Sequence, residues 1–597
     1  MVDIAAAAAA SIEPLAAWIV LSGLDDIFVA GAGVRGLSRA PKTGGAPTAG
    51  ERPIAVFVPC WREDGVIARM LEHNLSAIAY TNYHFFAGAY PNDPATQRAV
   101  LQVGERYPNV HLALGPHDGP TCKADCLNWI YQRMLVYEQE SGIGFHLVLT
   151  HDAEDLIHPS ELAMVNQLSD EYGMIQTPVL ALPTPLVRWT HGIYCDDFAQ
   201  FHTLDMAARG RLGGFIPSCG VGTAFRRDAL EQLAASESNR IFQPGCLTED
   251  YENGFLLHRM GVRQHFLGIR FEDGRPVATR ELFPQAFRAA LRQRTRWVTG
   301  IALQTWQRHG WGRGREIYWF WRDRKGLIGN PLSLAANAIF FYGAATWLWS
   351  RLAGTAWPLA GTISPALAVA TGALAALQIV IRAVCSARIY GWKFAAGVPL
   401  RSLLGNVLNS LATVNAIARF VTALIERRPL VWLKTEHSYP SLAALAGHRR
   451  RLGEILVGSK YCTQSQLDQA LATKPSERRL GEHMVALGMI EEGELYEALS
   501  LQSSLPAEAV EPAGLSTAIV RALPAHVVRD RRVIPVRVEQ GDLILATPEL
   551  PDDALTEQLA HFTRLRPRFV LVTPGNFARL AAASPVTQRT TEPCSRP

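Results

Sequence analysis

The chain has 597 residues, 48% hydrophobic and 19% charged, with a mean hydropathy of +0.05; this length suits about four domains. The apolar content excludes a mainly disordered chain, and the near-zero hydropathy excludes a fully polytopic transporter. A net charge of only +4 excludes a strongly basic nucleic-acid binder, so no nucleic acid is expected as partner.

Nine Cys without a CxxC pair fit a reducing compartment rather than a disulfide framework or a zinc module. In chain order, residues 14–34 are mostly apolar despite Asp25 and Asp26, and are expected to span a membrane. Arg35, Arg39, Lys42 and Arg52 follow, which puts the next domain in the cytoplasm. A Gly/Pro/Thr linker over 41–50 closes this N-terminal membrane segment, residues 1–50.

The apolar runs 54–59, 85–90, 110–114 and 145–150 read as strands, with helices between them at 65–79 and 125–137. That alternation predicts an α/β domain with a parallel sheet, residues 51–325, and ligands at the carboxyl ends of its strands. The run at 145–150 leads straight into His151, Asp152, Ala153, Glu154 and Asp155. Three acids in four residues repel one another unless a cation sits among them. Mg2+ or Mn2+ bridging substrate phosphates is the natural occupant; the bland alternative is a solvated acidic turn. Thr248, Glu249 and Asp250 precede a helical stretch, and a carboxylate there suits a general base. On a helix, Gln293, Arg296 and Trp297 share one face. Arg294 and Arg296 can neutralise a diphosphate, and Trp297 can stack on a ring.

Two apolar stretches, 329–350 and 360–384, are long enough to span. Their outer flanks carry Arg322, Arg324, Lys325, Arg388 and Lys393, and the loop between them only Arg351, so both flanks are expected in the cytoplasm. A third stretch, 399–425, carries Arg401, Asn406, Asn409, Asn415 and Arg419 and is basic on both sides. It is expected to lie on the cytoplasmic face as an amphipathic helix. The membrane region is set at 326–440.

The set ValProCysTrpArgGlu (58–63), TyrProAsnAsp (90–93), Lys123 with LeuAsn (127–128), AspAlaGluAsp (152–155), SerCysGlyValGlyThr (218–223), ThrGluAsp (248–250) and GlnArgThrArgTrp (293–297) resembles the processive family 2 glycosyltransferases of the GT-A fold. The resemblance implies an inverting, metal-dependent transfer from a nucleotide-sugar donor to a glycan or lipid-linked acceptor. It implies donor contacts at Asp93, Lys123, Asn128 and Asp152, and metal ligands among Asp152, Glu154 and Asp155. Catalytic roles fall on Asp250 as base and on Asp152, Gln293, Arg294, Arg296 and Trp297. Glu154 stands where a second Asp is usual.

Beyond residue 440 the chain repeats itself with a period of 28: ArgLeuGlyGluIleLeuVal begins at Arg451 and ArgLeuGlyGluHisMetVal at Arg479. Gly at the head permits close approach to a ligand, and Arg can pair with phosphate or guanine. The bland alternative is a helical repeat whose leucines are core. The pattern RLGxxLVxxGxIxxxxLxxALxxQ resembles the N-terminal, MshEN-type domain of type II secretion and pilus ATPases. That resemblance implies cyclic di-GMP bound by Arg451, Leu452, Gly453, Leu467, Leu471, Arg479, Leu480, Gly481, Leu495, Leu499 and Gln502. The first copy departs from the pattern at Lys460, Cys462 and Lys474. Strand-like runs at 533–538, 543–547 and 568–572 complete a small α/β unit, giving a regulatory domain over 441–584 and a disordered tail over 585–597. No GxxxxGK[ST] loop occurs, so the ATPase part is absent.

RDRKGLIGNPLS at 322–333 and KTEHSYP at 434–440 resemble a family of phage-adsorption glycosyltransferases in the inner membrane of Gram-negative bacteria. That implies export of a surface polysaccharide under cyclic di-GMP control, with an outer-membrane export or receptor protein as partner. The rival readings are sugar transfer to a polyprenyl phosphate and a non-catalytic phage-receptor scaffold.

Overall fold

In the computed structural model, which describes residues 4–37, 50–236, 240–427, 451–458, 461–503, 505–539, 542–560, 562–563 and 565–584, a central sheet organises the first half of the chain. Its strands are β1 (Ile54–Pro59), β2 (Tyr83–Ala89), β3 (Val110–Leu114), β4 (Leu147–Thr150), β5 (Met174–Gln176), β7 (Thr223–Arg226) and β8 (Gln264–Phe266), in the order β3-β2-β1-β4-β7-β5-β8. A short strand β6 (Val179–Ala181) pairs in parallel with β9 (Thr279–Glu281) beside it. Five consecutive residues of β1, Ile54 to Val58, are wholly buried, as expected of an apolar strand covered on both faces. The expected all-parallel sheet needs correction. β7 runs antiparallel to both β4 and β5, and the glycine-containing turn 218–222 leads into it from the helical stretch that ends at Arg211. The linker over 41–49, Arg39 and Lys42, the KTEHSYP segment, Lys460 and the tail over 585–597 lie outside the described residues.

Among the described residues four helices are long and apolar enough to cross a membrane: Ile4–Arg35, Arg315–Ala353, Pro365–Tyr390 and Val398–Glu426. The first carries the two acids that interrupted its apolar pattern. Asp25 accepts from Arg322 at 2.6 Å, Lys325 at 2.9 Å and Tyr318 at 2.7 Å. Asp26 pairs with Arg322 and Lys325 and accepts from Gln378. Arg322 also reaches Asp205 of the catalytic domain at 2.9 Å.

The helical stretch Trp189–Arg211, which contains a π-helical turn at Phe201–Asp205, supplies further acids. Asp196 takes a bidentate pair from Arg401 at 2.7 and 2.9 Å, plus the Ser386 hydroxyl at 2.7 Å. Asp197 binds Arg294 and Arg382. The polar residues that made 399–425 look like a surface helix are largely spoken for. Asn406 donates to Asn337, Asn409 accepts from Arg294, and Asn330 donates to Thr413.

The chain divides into two compact units, one holding nearly all residues up to Tyr439 and one holding those from Pro440 on. In the second, each repeat copy is a helix pair: Leu452–Gly458 with Gln464–Thr473, and Leu480–Ala486 with Glu492–Ser503. A three-stranded sheet follows, of β10 (Ile534–Glu539), β11 (Asp542–Thr547) and β12 (Arg566–Leu571), in that order. The head glycines differ from expectation. A Cβ at Gly453 would meet Leu467 at 2.8 Å, and one at Gly481 would meet Leu495 at 2.3 Å. Their open space is filled by leucines of the same copy, so Leu467 and Leu495 are core rather than ligand-facing residues.

Arg401 and Asp196 are only 4% and 2% exposed. Removing one partner of a buried pair leaves a stranded charge, at about 3–5 kcal/mol. Arg401→Ala is therefore expected to lower the stability of the purified protein by that much and its unfolding midpoint with it. The double change Asp196→Leu with Arg401→Met should lose less than either single change, measured by thermal unfolding in detergent.

Candidate active site

The carboxyl ends of β1, β2 and β4 gather the expected residues, and the chain's own polar atoms decide what each does. Asp93 caps the helix Pro94–Arg106, accepting from the Thr96 amide and, at 2.6 Å, from the Arg62 amide. This holds Arg62 in a left-handed conformation, φ 55°. Lys123 opens the helix Lys123–Ser141 and stands 2.5 Å from Asp152 Oδ1. Burial works against its charge, but Asp152 and Glu249 outweigh it and raise its pKa. Asn128 points elsewhere. Its amide donates to the Phe242 carbonyl and accepts from the Ile241 and Phe242 amides, so it clamps that loop and not a donor.

Behind Asp152 lies a buried row. Asp155 accepts from the Asp152 amide at 2.9 Å and stands 3.0 Å from His151 Nδ1, whose other nitrogen faces Glu161 at 3.5 Å. Burial opposes charge on His151, but its bonds to Asp155 and Glu161 prevail and raise it to about 9. Burial lifts Asp155 to about 6, against the pull of His151. Glu281, at the end of β9, is pushed well up by burial and then by Asp155, Glu154 and Asp152. Sequence reasoning missed it, and nothing in ArgGluLeuPhe marked it. Among the described residues no three His, Cys, Asp or Glu side chains stand together as a ready metal shell. The donor set still fits a hard dication, which takes one or two carboxylates and completes its sphere with phosphate and water. Crowded buried acids of this kind gain from a cation among them.

The turn 218–223 completes the cleft. Gln176 holds it, accepting from the Cys219 amide and the Thr223 hydroxyl and donating to the Val221 carbonyl. Gly220 has φ +78°, and a Cβ there would lie 2.7 Å from Asp250 Oδ2 and 3.4 Å from Lys123 Nζ. The glycine thus brings the backbone against both functional groups, which a side chain would displace. Asp250 sits in the first turn of the helix Glu249–Arg259. Burial, then Asp250, pushes Glu249 up to about 7. Asp250 is also raised by burial, with Lys123 and Arg296 acting against it. Glu249 was read only as part of a motif, yet the charge of the adjacent Asp250 helps raise its pKa.

The helix Phe287–Trp297 splits its motif between two faces. The charge of Arg296 acts against the raised pKa values of Glu249 and Asp250. Trp297 joins an aromatic nest of Tyr194, Phe198 and Phe283, with ring centroids 6.0–6.4 Å away. Gln293 is half-buried. Arg294, expected among the catalytic groups, points away. It bonds Asp197 at 2.8 Å and Asn409 at 2.6 Å, and its guanidinium lies over Tyr194. It is a strut to the membrane helices, since i and i+2 cannot share a helix face.

Residues 51–300 match the family model described as glycosyltransferase like family 2, and residues 503–590 match the MshEN domain, beginning where the helical repeats end. Over 547 residues the chain is 33% identical to the bacteriophage adsorption protein B of Escherichia coli K12, covering 88% of this chain and 73% of that protein. The bacteriophage N4 adsorption protein B of Escherichia coli O157:H7 gives the same figures. Among solved structures the chain is similar to the mannosyltransferase PcManGT of Pyrobaculum calidifontis in complex with GDP-Man and Mn2+, at 18% identity over 68% of this chain and 99% of that one, with a TM-score of 0.41. It is also similar to MshE with cdg, at 28% identity over 22% of this chain and 96% of that one, with a TM-score of 0.20.

Gly220→Ala adds a strained residue, at about 1–3 kcal/mol, which the fold should survive. The displaced Asp250 should lower sugar transfer by about a hundredfold, checked by turnover of a labelled nucleotide sugar in membranes beside a thermal unfolding curve.

Proposed function

The chain belongs to the bacteriophage adsorption protein B family and carries a family 2 glycosyltransferase domain, and from that premise we propose a membrane enzyme that extends a surface polysaccharide by inverting transfer from a nucleotide sugar. The observation that carries this reading is the meeting of Lys123, Asp152 and Asp250 at the Gly220 turn. Asp250 takes the proton of the acceptor hydroxyl as its oxygen attacks the anomeric carbon and the nucleoside diphosphate departs from the opposite face. Lys123 and Arg296 face the charge left on that diphosphate, and preorganised cations of this kind are the largest catalytic contribution expected. Asp152, with Glu154 or Asp155 as second ligand, would hold Mg2+ or Mn2+, which when bound neutralises phosphate charge. Trp297 and its aromatic neighbours offer a stacking face to a sugar acceptor. The same nest includes Leu404 and Leu408 of the helix Val398–Glu426, which favours transfer to a polyprenyl phosphate as the second reading.

Orientation follows from charge and pairing. Basic residues cluster at the catalytic ends of the membrane helices, which supports a cytoplasmic catalytic domain. The helix Val398–Glu426 meets Gly326–Ala353 antiparallel: Thr413 faces Asn330 and Asn406 faces Asn337. A span leaving the catalytic side would run parallel to Gly326–Ala353, which itself leaves from there. The antiparallel pairing supports a helix that returns toward the catalytic face, with the C-terminal unit in the same compartment. There the unit would bind cyclic di-GMP through exposed Arg451, Arg479 and Leu471 together with Leu452, Leu480, Leu499 and Gln502, and so control transfer.

Asp250→Asn is expected to abolish transfer while donor binding, measured by titration, survives; normal turnover in that variant would sink the assignment. A carboxyl with a raised pKa keeps its proton to higher pH, and burial raises both Asp250 and its neighbour Glu249, so the base form appears only above the ordinary carboxylate range. The ratio kcat/KM should therefore fall about tenfold per pH unit below the apparent value of the pair and level off above it. Glu249→Gln should move that limb to lower pH. In the full chain, cyclic di-GMP should bind at micromolar concentration and Arg451→Ala with Arg479→Ala should remove it; absence of binding to the unaltered chain would make protein docking the better role.

A further inference from the structure

The turn between β6 and the helix Trp189–Gln200 leaves large apolar side chains in the open. Leu186 is 56% exposed, Val187 77% and Trp189 42%, with Arg188 exposed between them. The turn is not loose. Arg188 donates its amide to the Pro185 carbonyl at 2.9 Å, Thr184 Oγ1 meets His191 Nδ1 at 3.1 Å, and prolines stand at 183 and 185. A braced turn that holds apolar tips outward presents them to something.

Its place indicates what that is. One helical turn on, Gly192 lies against Arg401 and Phe394. Tyr390, the last residue of the helix Pro365–Tyr390, donates its hydroxyl to Ala181 at the end of β6, 2.8 Å away. The chain then turns through Gly391–Gly397, where Trp392 is 69% exposed and Lys393 is exposed beside it. The apolar turn of the catalytic domain and the exposed Trp at a membrane helix end therefore belong to one edge. Tryptophans with neighbouring basic residues are the usual furniture of the membrane–water interface, where the ring meets the acyl boundary and the cation meets phosphate.

We infer that Leu186, Val187 and Trp189, together with Trp392, form a lipid-binding edge by which the catalytic domain dips into the headgroup layer, with Arg188 and Lys393 facing lipid phosphates. A glycan or a protein fits less well: Leu186 and Val187, the more exposed tips, offer no hydrogen bonds to sugar hydroxyls, and the edge is continuous with the end of an apolar helix. The consequence reaches the active site, because the helix that begins at Trp189 carries Tyr194, stacked on Phe283 at 4.7 Å and edge-on to Trp297. Lipid contact at 186–189 would steady the acceptor side of the cleft.

The inference rests on the reading that Pro365–Tyr390 crosses the bilayer, and the test separates the two. The full chain is placed in nanodiscs of phosphatidylglycerol and phosphatidylethanolamine, with photoreactive benzoylphenylalanine replacing in turn Val187, Trp392, Leu377 within the apolar helix, and Leu101 on the exposed face of Pro94–Arg106. All four sites are exposed, and each variant is checked for unaltered elution and unfolding midpoint. Lipid adducts by mass spectrometry are expected at 187, 392 and 377 and absent at 101. An adduct at 377 with none at 187, or with a peptide adduct there, overturns the lipid edge and leaves the span intact. No lipid at 377 overturns the span and the edge with it.

Discussion

The catalytic domain is held to the membrane helices by a collar of buried and half-buried charge pairs. Asp196, Asp197 and Asp205 come from one helical stretch of the catalytic domain. Arg401, Arg382, Arg322 and Lys325 come from the membrane helices, and Asp25 and Asp26 close the circuit from the N-terminal helix. In a low-dielectric setting an unpaired member of this collar is far more costly than in water. Apolar packing tolerates sliding, whereas a bidentate Arg–carboxylate pair has one geometry. The pairs therefore set the register of each membrane helix against the sheet, and everything downstream inherits that register.

The helix that carries the acids also builds the acceptor side of the cleft. Asp196 and Asp197 face the membrane helices while Tyr194 packs against Phe283 and Trp297. Arg294 extends the same logic across the site. By binding Asp197 and Asn409 it fixes the rotation of the helix Phe287–Trp297, which also carries Arg296, whose charge acts on Glu249 and Asp250. A motif of five residues thus does two jobs, one on each face. A π-helical segment follows directly, Val298–Gln304, and a Cβ on Gly300 within it would strike Thr248 at 2.4 Å. The step into the wider helix lets the backbone pass close behind the first turn that carries Asp250.

Much of this was legible in the chain because local chemistry announces itself. The apolar β1, the acids after β4 and the ThrGluAsp step are each readable from a few adjacent residues. The misreadings came where long-range partners decided the outcome. Asn128 lies in a motif, but its amide is taken by a loop more than a hundred residues away. Asp25 and Asp26 weakened the case for the first apolar helix because their cations lie some three hundred residues on. Asn406 and Asn409 looked solvent-facing for the same reason. Glu281 is invisible to pattern reading, since it is the backbone bridge between Arg280 and Leu156 that carries it to the acids at 152–155. The antiparallel β7 escaped because a glycine turn leaves no periodic signature.

The repeat heads in the C-terminal unit bring the two kinds of reading together. A glycine after Arg-Leu invited a ligand, yet each glycine accepts a leucine from the second helix of its own copy, and Leu452 of the first copy also closes on Gly481 of the second. Close helix packing is what the glycines supply. It drives both leading helices toward one seam and buries Leu467 and Leu495 beneath them. With those side chains turned inward, Arg451 and Arg479 remain exposed at the heads, related by the internal symmetry of the repeat. A two-fold ligand carrying phosphates and guanines matches two such arginines better than it matches a glycine floor. The glycines therefore act on the packing of the two leading helices, and so on the spacing of the arginines, rather than by leaving open space above the backbone.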